Sequence, residues 1–163
     1  MYIKSILFAS FLLFLGGNYL TAQDYEYIGA AKCKMCHNKP ATGGQYKQWA
    51  ESKHAHAMES LKGEEANDPK CLKCHSTAGA VNEDLIATLT VKEGVSCETC
   101  HGPGSGYKAK SVMESREKSL EKGLIIPTEA LCLECHNDNS PHFKGFNYEE
   151  YLVKISHPIP AAE

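Results

Sequence analysis

A small, mainly α protein, its helices and loops wrapped around covalently attached groups instead of a side-chain core, is predicted from three features of the sequence. All eight cysteines of the 163 residues fall into four C-x-x-C pairs. Each pair is followed at once by histidine: Cys33-Lys34-Met35-Cys36-His37, Cys71-Leu72-Lys73-Cys74-His75, Cys97-Glu98-Thr99-Cys100-His101 and Cys132-Leu133-Glu134-Cys135-His136. The segments between them carry helix periodicity and helix-capping patterns, with apolar stripes too short to bury one another.

The C-x-x-C-H order has a chemical reason. Two thiols three positions apart lie on one turn of backbone and add to the two vinyl groups on one porphyrin edge, while the adjacent imidazole reaches the iron. The four motifs therefore predict four covalently bound haem c groups. Four-cysteine zinc sites need no histidine after every second cysteine, and disulfides would leave four histidines unexplained. The motif cysteines begin 38, 26 and 35 residues apart, which is no regular repeat. With some 35 residues per haem, the porphyrins must themselves form the core, packed closely enough for a continuous electron path.

Taken from the N-terminus, residues 1–22 read as a signal peptide. Lys4 supplies the positive end, Ile6 to Leu15 is the apolar region, and Leu20-Thr21-Ala22 precedes the cleavage point before Gln23. Lys4, Gly16, Gly17 and Asn18 interrupt this stretch, which argues against a retained anchor. A single tetrahaem domain, 23–163, is expected in the periplasm with no stable membrane insertion after cleavage. Without Lys4 the chain has 16 basic and 20 acidic side chains, about −4, so nucleic acid is excluded as a partner. Redox partner proteins remain, and the sequence sets no oligomeric state.

Gln45 to Leu61 reads as one helix between Gly43-Gly44 and Gly63. At 100° per residue, Tyr46, Ala50, His54, Ala57 and Leu61 share about 80° of arc, which places His54 inside the apolar stripe as an iron ligand. His56 is turned about 160° from it, beside Trp49, and is a ligand only if the helix lies between two haems. Ser111 and Glu114 suggest a capping box opening a largely solvated helix that ends at Gly123 and packs Val112, Met113 and Leu120. Asn147 with Glu150 suggests a second box, stapled by Phe146 and Tyr151, that opens a helix burying Tyr148, Tyr151, Leu152 and Ile155. Pro158 stops it and presents His157 as a ligand. With His142, which follows Ser140-Pro141, the spare histidines number four, one for each iron.

From Tyr27 onward the chain resembles the small tetrahaem cytochromes of the cytochrome c-554 type, which shuttle electrons in periplasmic nitrogen metabolism. The likeness rests on the first motif followed by Trp49-x-x-x-x-His54, on Gly94-Val95-Ser96-Cys97-Glu98-Thr99-Cys100-His101-Gly102-Pro103-Gly104, and on the closing helix before His157. It implies a mainly helical fold, His54 on the third haem, His157 on the fourth, and a five-coordinate second haem. In the family a histidine after the third motif serves the first haem, but Gly102 to Lys122 contains none. Tyr107 and Met113 are the ligand-capable side chains there apart from lysines, and Met113, His142 and His56 are the candidates for the first iron.

The leading function is electron transfer between redox partners, in periplasmic respiratory or nitrogen metabolism, with no catalytic residues. The alternative is a small nitrogen-oxide or hydroxylamine reductase acting at a five-coordinate haem. No Cys-x-x-Cys-Lys variant, which resembles the mark of ammonia-forming nitrite reductases, is present.

Overall fold

The computed structural model describes residues 24–159; the signal-peptide reading of residues 1–22 lies outside them. The described chain is helical and has no named strand, its one β contact being an isolated parallel bridge between Tyr27 and Ile86. Nine short α-helices follow: α1 Ala30–His37, α2 Gln45–Ala50, α3 Pro69–His75, α4 Thr77–Ala80, α5 Cys97–His101, α6 Lys110–Met113, α7 Arg116–Glu121, α8 Glu129–Leu133 and α9 Tyr148–Ile155. Tight 3-10 turns lie between several of them, among them Ala57–Ser60. No helix among the described residues is long and apolar enough to cross a membrane.

Helices this short are set by their ends. Asp68 caps α3 by accepting from Lys70 N at 2.9 Å, with Pro69 at the first helical position, where a missing N–H costs nothing. Ser96 caps α5, and Gly102, at φ +75°, turns the chain away directly after His101. Each motif histidine thus sits at or just beyond a helix end, free to face inward.

The side-chain core is small and largely polar. Ile28, Ala30, Leu89 and Tyr107 are its buried apolar members, beside buried Ser76, Thr77, Ser96, Glu98 and Ser119. Thr77 Oγ1 accepts from Ser96 N at 2.7 Å and lies 2.5 Å from Thr99 Oγ1, so these hydroxyls satisfy one another. Beyond Ser119 no described residue is buried. Side chains alone would not hold such a chain together, as the sequence anticipates.

Three local expectations are corrected. The helix from Gln45 ends at Ala50, and residues 51–56 form turns before the 3-10 turn Ala57–Ser60. The cause is tertiary. Val95 N donates to His54 O at 2.9 Å, Trp49 Nε1 donates to Val95 O at 2.9 Å, and Gly94 packs on the same backbone. A Cβ on Gly94 would stand 2.6 Å from His54 O. The 94–95 segment therefore takes a carbonyl that a continuous helix would need, and His54 is displayed by a turn.

The helix expected from Ser111 is two helices, α6 and α7, and the capping residue is Ser115, which accepts from Lys118 N at 3.3 Å. Its inward residue is Ser119, while Leu120 is 43% exposed. The Asn147 cap forms, accepting from Glu150 N at 3.2 Å, and Phe146 packs on Tyr151 with ring centroids 5.2 Å apart. Glu150 does not reach back. Its carboxylate takes Lys154 Nζ at 2.7 Å one turn on. The side chains expected to be buried by α9 are half-buried, and Tyr151 is exposed.

Candidate haem-binding sites

The first and third motifs meet through the protein's most buried contacts. Glu98, the residue after Cys97, is 1% exposed. Its carboxylate accepts from Ile28 N at 2.9 Å, Gly29 N at 2.7 Å and Gly104 N at 2.6 Å. Glu93 accepts from Ala30 N at 2.6 Å. Two carboxylates thus satisfy the free N–H groups around the start of α1 and complement its dipole, holding α1 against α5. The neighbouring Cys97 thiol holds Cys33 below the usual thiol range, and Cys33 in turn pushes Cys97 well above it.

Burial, then the nearby Cys132, pushes the Cys100 thiol up to about 11. Burial, then Cys74, pushes Cys135 up to about 12.

The histidines are disposed as ligands. His75 Nδ1 faces Ala57 O at 2.9 Å, His101 Nδ1 faces Ile125 O at 3.2 Å, and His37 Nδ1 faces Gln45 Oε1 at 3.4 Å. An acceptor on Nδ1 fixes the tautomer and leaves Nε2 for a metal. The His54 ring lies 6.1 Å from that of His136, and His101 lies 5.7 Å from His157, centroid to centroid. Two imidazoles on opposite sides of one metal, each bonded at about 2 Å, have centroids about 6 Å apart. Burial lowers the basicity of His54, His101, His136 and His157, favouring the neutral ring that ligates iron. His157 Nδ1 is buried with no hydrogen-bond partner, an arrangement that is costly unless another ligand takes the ring.

This pairing differs from the one the resemblance implies, since His54 lies with the fourth motif and His157 with the third. The C-terminal segment is drawn over by α2. Gln45 Nε2 donates to Pro158 O at 3.0 Å and to Thr42 O, and Gln48 Nε2 donates to Ser156 O at 2.5 Å. These bonds place His157 beside His101 and His37.

The candidates for the first iron are scattered. His56 is exposed, with Nδ1 2.7 Å from Glu59 Oε1 and Nε2 2.9 Å from Ala50 O, so both ring nitrogens are engaged. His142 is exposed and lines a cavity of about 320 Å³ with Cys135, His136 and Tyr151, beside the fourth motif. Met113 is half-buried, its sulfur 3.9 Å from the Ser119 hydroxyl. Tyr107 donates its hydroxyl to Gly102 O at 2.9 Å, and burial raises its pKa.

The donor set fits haem c. Each thiol pair shares one turn with its histidine, all eight cysteines are free of disulfides, and two further imidazoles stand opposite motif histidines. No group of three His, Cys, Asp or Glu among the described residues could hold a bare metal ion. Sequence reasoning missed Glu98, Glu93, Gln45 and the Thr77–Ser96–Thr99 cluster. The only signal for Glu98 was its place inside a motif immediately followed by the glycine-rich turn it binds.

A helical chain with cysteine pairs and imidazoles so arranged defines a c-type cytochrome. The chain belongs to the cytochrome c-554 family. The family described as "Cytochrome c554 and c-prime" matches residues 32–102. Cytochrome c-554 of Nitrosomonas europaea is 30% identical over 172 residues, covering 85% of this chain and 70% of that protein. No solved structure matches the chain significantly. Membership makes the protein an electron-transfer protein carrying covalent haem c with iron.

Proposed function

We propose that the protein is an exported tetrahaem carrier that passes electrons between redox partner proteins, in periplasmic respiratory or nitrogen metabolism, and catalyses no reaction of its own. The observation that carries this reading is the geometry joining the motifs and spare histidines: Glu98 of the third motif binds Ile28 N and Gly29 N at the start of α1, which carries the first, and the His101–His157 and His54–His136 rings lie 5.7 Å and 6.1 Å apart. Haem c supplies one-electron iron chemistry when bound. The chain's own part is to hold each porphyrin by two thioethers, orient each motif imidazole through its Nδ1 partner, and set neutral His157 and His54 opposite His101 and His136. With these imidazoles as ligands the third and fourth irons would be saturated, which suits electron transfer over substrate binding.

A second reading has an observation in its favour. Among the described residues the histidine–histidine ring contacts pair His54 with His136 and His101 with His157, leaving His37 and His75 outside both pairs. A site open to small ligands at either of these would suit reduction of a nitrogen oxide or hydroxylamine. One experiment tests both. The denatured mass is expected to exceed that of the cleaved polypeptide by four haem masses, and carbon monoxide is expected to perturb the reduced spectrum of a minority of the haems. Colour lost on acid-acetone extraction would overturn the cytochrome reading, and catalytic turnover of hydroxylamine or nitric oxide would favour the reductase.

A further inference from the structure

The four motif histidines do not meet equal surroundings. His37 and His101 each have one long contact from Nδ1, at 3.4 Å and 3.2 Å, and His136 has Phe146 stacked on its face at 4.8 Å and 16°. His75 has two oxygen partners, Ala57 O at 2.9 Å and Ser60 Oγ at 3.1 Å. The direction of the Ser60 bond is settled locally, because that hydroxyl donates its only hydrogen to Ala57 O at 2.7 Å. Its lone pairs are therefore turned to the His75 N–H, which is shared between two acceptors held on the single turn Ala57–Ser60.

We propose that Ser60 is a positioning residue of the second haem site, which, with the Ala57 carbonyl, makes His75 the most electron-donating of the four motif imidazoles. The proposal rests on the reading that Cys71, Cys74 and His75 hold a haem. Acceptors on the far nitrogen of a ligating histidine fix its ring and raise its basicity, and second-shell hydrogen bonding is one of the levers on an iron potential. A stronger donor favours the ferric state. The second site is thereby biased to give up its electron. The same turn leads out of the segment that displays His54, so the groups that orient His75 and the imidazole opposite His136 are spaced within seven residues of one another, and the second and fourth sites are set by one stretch of backbone.

The test uses the holoprotein with Ser60→Ala and Ser60→Thr. In Ser60→Ala the iron–histidine stretching band of the reduced protein, read by resonance Raman, is expected to fall in frequency, with one of the four midpoint potentials rising and three unchanged. Ser60→Thr, which keeps the hydroxyl, is expected to restore both. A Ser60→Ala protein with four haems, an unmoved band and four unmoved potentials would overturn the proposal, as would a threonine variant that behaves like alanine. Wild-type protein carrying three haems by mass would instead overturn the haem reading of Cys71 and Cys74, and the mass tells the two failures apart.

Discussion

The contact between α1 and α5, which carries two of the C-x-x-C-H motifs, and the C-terminal stretch 124–159, which carries one, are built differently. Around the first and third motifs, Glu98 and Glu93 take four backbone N–H groups, and Ile28, Ala30, Ser96 and Glu98 are buried. The C-terminal stretch contains no buried residue, and Ile125, Ile126, Leu133, Tyr151 and Val153 are all exposed by more than 40%. Its links to the rest are directional and include Leu124 N to Ser119 O at 2.9 Å, Ile125 N to His101 O at 2.9 Å, His101 Nδ1 to Ile125 O at 3.2 Å, the Gln45 and Gln48 carboxamides, and the two histidine pairs. One region is held by buried hydrogen bonds to two carboxylates, the other by histidine ring contacts and the glutamine straps. The protein-held knot can fix the spacing of two sites before the rest of the chain docks.

The largest effect is expected from Glu98→Ala. It strands three N–H donors, and each buried group left unsatisfied costs about 1–3 kcal/mol, against a total stability of about 5–15 kcal/mol for a domain. Holoprotein is expected to fail to accumulate, or to melt many degrees lower. Thermal unfolding within a few degrees of wild type would show that the knot is not where stability resides.

Next come the imidazoles that join the regions. His157→Ala is expected to open the third iron and to free the C-terminal segment for proteolysis, whereas His54→Ala is expected to open the fourth iron with the segment still strapped by Gln45 and Gln48. Electron paramagnetic resonance counts the new high-spin iron. Combining each variant with Cys132→Ser and Cys135→Ser, which removes the fourth haem, assigns it. If the high-spin signal of His54→Ala survives loss of the fourth haem, the pairing of His54 with His136 is wrong.

The same contrast marks what could be read from the chain alone. The motifs declare themselves because thioether chemistry demands a fixed order of residues, and His54 and His157 stood out by their setting. What the sequence did not disclose is long-range. Val95 takes a carbonyl from the apparent helix at Gln45–Leu61, and no local pattern announces a competitor 41 residues away. Ser115 outcompetes Ser111 as a cap, although both have the right chemistry. Glu98 looks like an ordinary charged residue between two cysteines until Ile28 and Gly29 are brought to it. Which histidine faces which motif was also hidden, because that choice depends on the two glutamines on α2.

A smaller effect tests the arm alone. Asn147→Ala removes the cap of α9 and is expected to cost about 1 kcal/mol. Hydrogen exchange should rise at Glu150 and Tyr151 while α5 stays protected. A uniform rise across the chain would mean that the two regions unfold as one.

The smallest effect belongs to His56, which lies on the knot side but outside its hydrogen-bonded interior. The hydrogen bond to Glu59, then that to Ala50 O, then the Glu59 charge raise its pKa above the usual histidine value. A group protonated more readily in the folded state stabilises it fully below the unfolded pKa, and that contribution disappears as pH rises through the folded pKa. The exposed side chains, 52% and 74% accessible, keep the pair weak and sensitive to salt. His56→Ala is therefore expected to lower stability slightly at pH 5.5 to 6 and not at pH 8.5, to lose even that in high salt, and to leave every iron in its wild-type spin state. A new high-spin signal in His56→Ala would make the residue an iron ligand and would move the boundary between ligand-held and protein-held regions to include the 51–56 turns.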